Sequence, residues 1–195
     1  MGSAFNKQER KIIIGKLKEA ANEQIQTIGM RKTTVEELAK KASISKGAFY
    51  HFYPTKEHLF FDVLEDWHEE MLQVALETVR NNEELPMPKR IELTMLSIIE
   101  ALERNNTLSF IENDMEILLR KLPKELLSNH FQDYSLLIKV VLQEANATPT
   151  VSFEVISGLV HSIFYTMAHR QEFGEHYQEV LRVLVESICK NIFTA

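Results

Sequence analysis

The sequence predicts an all-α protein, and three observations carry that expectation. Apolar residues recur at three- and four-residue steps through most of the chain, and no stretch shows the strict apolar/polar alternation of a strand. All five prolines, Pro54, Pro86, Pro88, Pro123 and Pro149, fall at joints between helical stretches. With 45% hydrophobic and 26% charged residues among 195, the composition is that of a globular chain able to bury a sizeable core.

The elements follow in order. Ile13, Leu17, Ala20, Ala21, Ile25 and Ile28 give a first helix one apolar face, and Gly29 ends it. A short helix comes next, opened by Thr33 or Thr34 with Glu36 or Glu37 three residues on, and it turns Val35, Leu38 and Ala39 inward. Only Ala42-Ser43-Ile44 separates it from a second short, polar helix, which is helix-turn-helix spacing. Spacing alone leaves open whether such a pair is more than a packing device. After Pro54 a long helix runs from Thr55 to about Arg80 through Leu59, Val63, Trp67, Met71 and Val79. Helical patterns resume at about 88–105, 107–121, 123–145, 150–171 and 175–193. Val151 to Met167 is apolar on more than one face, as a helix buried by its own subunit and by another would be. The last helix carries Leu181, Leu184, Ile188 and Ile192 as a stripe.

Charge is unevenly distributed. Residues 1–60 hold 11 Lys/Arg against 6 Asp/Glu, whereas the rest hold 11 against 22, so a net charge of -6 conceals a basic N-terminal segment. That asymmetry suits a chain whose first segment meets phosphates. No apolar run approaches the roughly 20 residues of a membrane span, and the first residues lack the apolar core of a signal peptide, so no membrane partner and a cytoplasmic location are expected. Cys189 is the single cysteine and sits among apolar neighbours, which reads as a small buried hydrophobe. His130, His169 and His176 lack the spacing of a zinc site, and neither a metal nor a cofactor is expected. Paired acids, a nucleophile with its base, or ligand clusters are not apparent, which speaks against an enzyme.

The stretch TTVEELAKKASISKGAFYHFYPTKEHL, Thr33 to Leu59, resembles the DNA-binding signature of the TetR family of repressors. A Thr-capped helix, a Ser-Lys-Gly recognition helix, an aromatic cluster and a Lys at the next helix start recur there in the same order. The resemblance implies a helix-turn-helix DNA-binding domain over residues 1–54 and a helical ligand-binding and dimerisation domain over 55–195. It implies that Thr33 and Thr34 contact phosphate or cap their helix. Ser45, Lys46, Gly47, Ala48, Tyr50 and His51 would face the major groove, and Tyr53 and Lys56 would hold flanking backbone. Ser43 stands where the family usually has Gly, at a modest cost if the turn needs positive φ.

Further along, the resemblance implies a homodimer formed by the last two helices, with Ser157, Gly158 and Ser162 permitting close approach, and a cavity for a small-molecule effector. Phe110, Met115, Phe131, Tyr134, His161, Phe164 and Tyr165 are the candidate lining. The expected function is a repressor released from double-stranded operator DNA by a small apolar or amphipathic molecule. The alternative is an activator, or a regulator whose body answers to a protein partner.

Overall fold

The computed structural model describes residues 5–104 and 107–193, with the backbone alone at residues 104 and 129–134. The helices are α1 (Lys7–Thr27), α2 (Gly29–Lys32), α3 (Val35–Lys41), α4 (Lys46–Phe49), α5 (Lys56–Asn81), α6 (Met87–Arg104), α7 (Thr107–Asn113), α8 (Met115–Lys121), α9 (Lys124–Glu144), α10 (Phe153–Ala168), α11 (Arg170–Phe173) and α12 (Tyr177–Ile192). Among the described residues the only β pairing is an isolated antiparallel bridge between Pro149 and Phe193. None of these helices is long and apolar enough to cross a membrane.

Packing divides the chain into two compact units, Met1–Trp67 with Ser109–Pro123, and His68–Leu108 with Lys124–Ala195. This division does not coincide with a boundary after Pro54. The first unit takes in the start of α5 together with α7 and α8, because Phe110 is buried against Phe60 and Trp67, at ring-centroid distances of 6.4 and 5.5 Å.

In that unit α1 opens on a capping box in which Asn6 and Glu9 bind each other's backbone amides at 2.9 and 2.8 Å. Of the alternatives at the start of α3, Thr34 and Glu37 form the capping box. Thr33 instead donates its hydroxyl to Gly29 O at 2.7 Å and so closes α2. Helix α3 ends in a Schellman turn, with Ile44 N bound to Ala39 O at 2.9 Å and Ser43 N bound to Lys40 O at 3.1 Å. Ser43 therefore adopts φ 60°, the left-handed conformation in which a Gly has no Cβ penalty. The helix expected over 107–121 is divided at Asp114, whose backbone (φ -121°) leaves helical values. Its carboxylate accepts the Met30 amide at 2.8 Å and lies 2.9 Å from where a Cβ on Gly29 would stand, so residue 29 has no room for a side chain.

The second unit is a helical body in which α12 packs on α6 and α10. Leu181, Ile188 and Ile192 are buried there, so most of the stripe expected to meet a partner copy serves its own subunit. Arg90, itself buried, donates to Val79 O at 2.8 Å and Ala145 O at 3.2 Å, tying the ends of α5 and α9 to α6. Cys189 is buried, and burial pushes its thiol up to about 12, which keeps it protonated and inert.

Replacing Ser43 with Gly relieves the left-handed strain. Ser43→Gly is expected to raise stability by about 1 kcal/mol, less the greater freedom of Gly in the unfolded chain. A urea midpoint that rises at unchanged slope supports the assignment, and an unmoved midpoint contradicts it.

Candidate nucleic-acid interface and an apolar cavity

The sequence-derived DNA candidates fall into two groups. Thr34, Ser45, Lys46, Gly47, Tyr50 and His51 are exposed, and Ala48 is half-buried. They share the first unit's α3–α4 region. Ser45 caps α4 by accepting the Ala48 amide at 3.1 Å, which keeps its hydroxyl proton available for donation. Lys46 is paired with Glu36, and this hydrogen bond raises the lysine's pKa and lowers the glutamate's. Both are fully exposed, so a phosphate can displace the carboxylate at little cost.

Thr33, Tyr53 and Lys56 form the other group, and their polar atoms are already occupied. Thr33 is 1% exposed. Tyr53 is buried and donates to Asp62 Oδ2 at 2.5 Å; burial first, then that carboxylate, push its phenol pKa up. Asp62 and Asp66 in turn hold Lys18 at 3.0 and 2.8 Å, so Tyr53 joins a network linking α1 and α5. Lys56 directs its ammonium to Met30 O at 2.8 Å, Thr33 O at 2.6 Å and Arg31 O at 3.3 Å. These acceptors match its three protons, and they are the carbonyls at the C-terminal end of α2. Burial lowers its pKa. Thr33 was expected to contact phosphate or cap its helix, and Tyr53 and Lys56 to hold flanking backbone; in this structure all three direct their polar atoms to the fold, where they position α2, α3 and α5.

One open depression nevertheless brings Thr34, Tyr50 and Lys56 together with Arg31, Lys32 and Thr55. Arg31 and Lys32 were not singled out from the sequence, although their place in the basic segment was the available signal. Arg10 lies in the same basic segment, but its partners are far from it in sequence. It donates to His51 O at 3.3 Å and lies 4.9 Å over the Phe52 ring, a contact across 41 residues.

Gly47 is distinctive. A Cβ built there meets nothing closer than the Ser45 hydroxyl at 3.9 Å, so the fold has room for a larger residue. Glycine inside a helix costs about 1 kcal/mol relative to alanine, and no contact within the unit accounts for it.

The second unit contains a partly open cavity of about 140 Å³ with a wall that is almost entirely carbon. Of the five lining candidates whose side chains are described, Phe164 alone borders it. Phe110 and Met115 belong to the first unit, where Phe110 is packed between aromatic rings. His161 and Tyr165 occupy other faces of α10, and Tyr165 is 70% exposed. The side chains of Phe131 and Tyr134 lie outside the described residues. Sequence reasoning missed Met71, Met95, Ile138 and Met167, which do line the cavity. Their apolar stripes were visible, but a stripe does not say which of its members faces a void. Among the described residues no cluster of His, Cys, Asp or Glu has the arrangement of a metal site.

Residues 17–63 match the family described as bacterial regulatory proteins, tetR family. It is 29% identical over 100 residues to the uncharacterized HTH-type transcriptional regulator YhgD of Bacillus subtilis (strain 168), a match that spans 51% of this chain and 51% of the relative, about half the length of each. It is 23% identical over 157 residues to the HTH-type transcriptional regulator QacR of Staphylococcus aureus, covering 75% of this chain and 81% of the relative. The crystal structure of Thermus thermophilus FadR, a TetR-family transcriptional repressor in complex with lauroyl-CoA, superposes with a TM-score of 0.60 over 93% of this chain and 91% of that one, at 19% identity. This last is a likeness of fold.

Lys56→Met keeps the aliphatic stem but removes every donor from the end of α2. Stability is expected to fall by about 1–3 kcal/mol, with faster amide exchange across α2 and the start of α3. A variant as stable and as protected as the parent refutes the anchoring role.

Proposed function

We propose that the protein is a dimeric transcriptional repressor that reads duplex operator DNA with the exposed face of α4 and is released from it by a small apolar or amphipathic molecule bound in the cavity of the second unit. Gly47 carries the DNA-reading part. A helical glycine without an internal reason, flanked by the exposed donors of Ser45, Lys46, Tyr50 and His51, suits a surface that must lie flush against a groove. The match of residues 17–63 to the tetR family model supports the same reading.

A short recognition helix reads few bases, so two copies are needed for a specific site. Val155, Gly158, Ser162 and Tyr165 fall on one face of α10, where Val155 and Tyr165 are exposed. Val180 and Val183 are exposed on α12, which packs beside α10. This face, rather than the Leu181 stripe, is proposed to meet the partner copy. Helix α5 is the covalent route for a signal, since its first turns belong to one unit and its later residues His68, Met71, Leu72 and Ala75 wall the cavity. Reciprocal linkage then requires operator to weaken effector binding by the factor by which effector weakens operator binding.

Gly47→Leu separates fold from function. With a duplex selected by the protein from a random pool, operator affinity is expected to drop at least about tenfold, while thermal stability holds or rises by up to about 1 kcal/mol. Retained affinity in a folded variant contradicts the groove-facing role of α4. Lys46→Ala is expected to weaken binding and flatten its salt dependence by about one counterion.

Val183→Glu places a charge on the proposed subunit contact. Sedimentation is expected to report a folded monomer with weakened operator binding. A dimer that sediments like the parent moves the interface elsewhere.

A further inference from the structure

Helices α5, α6, α9, α10 and α12 all contribute to the cavity, through residues such as Met71, Met95, Ile138, Phe164, Met167 and Ile188. Among the described lining residues none is Asp, Glu, Lys or Arg, and the polar members are His68 and Thr94. Thr94 is buried and spends its proton on Arg90 O at 2.9 Å, and His68 is itself engaged. The charged residues that flank the wall on α6 are committed as well. Arg90 donates to Val79 O and Ala145 O, and Glu92 accepts Lys89 Nζ at 2.6 Å. A ligand entering here finds mainly carbon and thioether surface, with no Asp, Glu, Lys or Arg among the described wall residues to neutralise a charge.

Size narrows the class further. An apolar cavity of about 150 Å³ in another protein stays dry and admits benzene, and this one measures about 140 Å³. Three methionines in the wall let it adapt its shape without changing its polarity.

Taking the cavity as the effector site proposed above, we infer that it accepts an uncharged hydrocarbon, a single aromatic ring or a short alkyl chain, and rejects molecules that bring an ionised group inside. Burying an unpaired carboxylate or ammonium in such surroundings is far costlier than burying the ring that bears it.

Toluene, benzoate and benzylammonium share one ring and differ in charge, which makes them the probes. With methyl-labelled methionines, toluene is expected to shift the Met71, Met95 and Met167 signals and to raise the thermal midpoint. Benzoate and benzylammonium are expected to bind at least about a hundredfold more weakly. Ala75→Leu, or Ile138→Phe should the first not fold, is expected to fill the space and abolish the toluene response. Absence of toluene binding overturns the inference, as does either ion binding at these methyl groups as tightly as toluene. The regulatory reading fails separately: toluene that occupies the cavity and leaves operator affinity unchanged supports the hydrocarbon chemistry and counts against the effector role. A charged compound that moves these signals and releases operator does the reverse.

Discussion

A helix of four residues cannot hold itself together, because its amides and carbonyls are nearly all end groups. Helix α2 exists because both its ends are bound from outside. Asp114 takes the Met30 amide at one end, and Lys56 takes the carbonyls of Met30, Arg31 and Thr33 at the other. An anion at the N-terminus and a cation at the C-terminus is also the arrangement that the helix dipole favours. The position of α2 fixes Thr33 and Thr34, hence the start of α3, and α3 carries α4 through the Ser43 turn. The exposed face of α4 is thus aimed by contacts made at the far ends of α2 and in the Ser43 turn.

The second unit solves the opposite problem, keeping charge away from a space that must remain apolar. Arg90 is as buried as the aliphatic residues around it, yet it points at two helix ends and offers the cavity nothing. Capping carbonyls with a buried guanidinium stabilises those ends while removing the ion from the wall. Thr94 follows the same logic on a smaller scale, its hydroxyl folded back on the preceding turn.

Much of this was legible before any coordinates. The elements were set by periodicity and proline position, and the α3–α4 pair by a motif whose residues act locally. Ser45 caps its own helix, Thr34 and Glu37 close their own box, and Ser43 carries the positive φ of its own turn. Partners distant in sequence were not legible. Lys56 lies in the first turn of α5, where an anion is the ordinary expectation, and only folding reveals that α2 supplies the acceptors 23 to 26 residues earlier. Asp114 reaches Met30 across 84 residues and divides a helix that its own neighbours would have continued. The cavity was hidden for a related reason: Phe110 and Phe164 look alike in sequence, and the difference between a packed aromatic and a cavity wall lies in what the opposing helix leaves unfilled.

An unfilled apolar space has a mechanical consequence. The folded chain holds a partly open apolar volume that the unfolded chain gives back to water, so hydrostatic pressure opposes this fold to the extent that water is kept out of it. Whatever occupies the space removes that volume difference. Pressure and occupant therefore act on the same volume of about 140 Å³ with opposite sign.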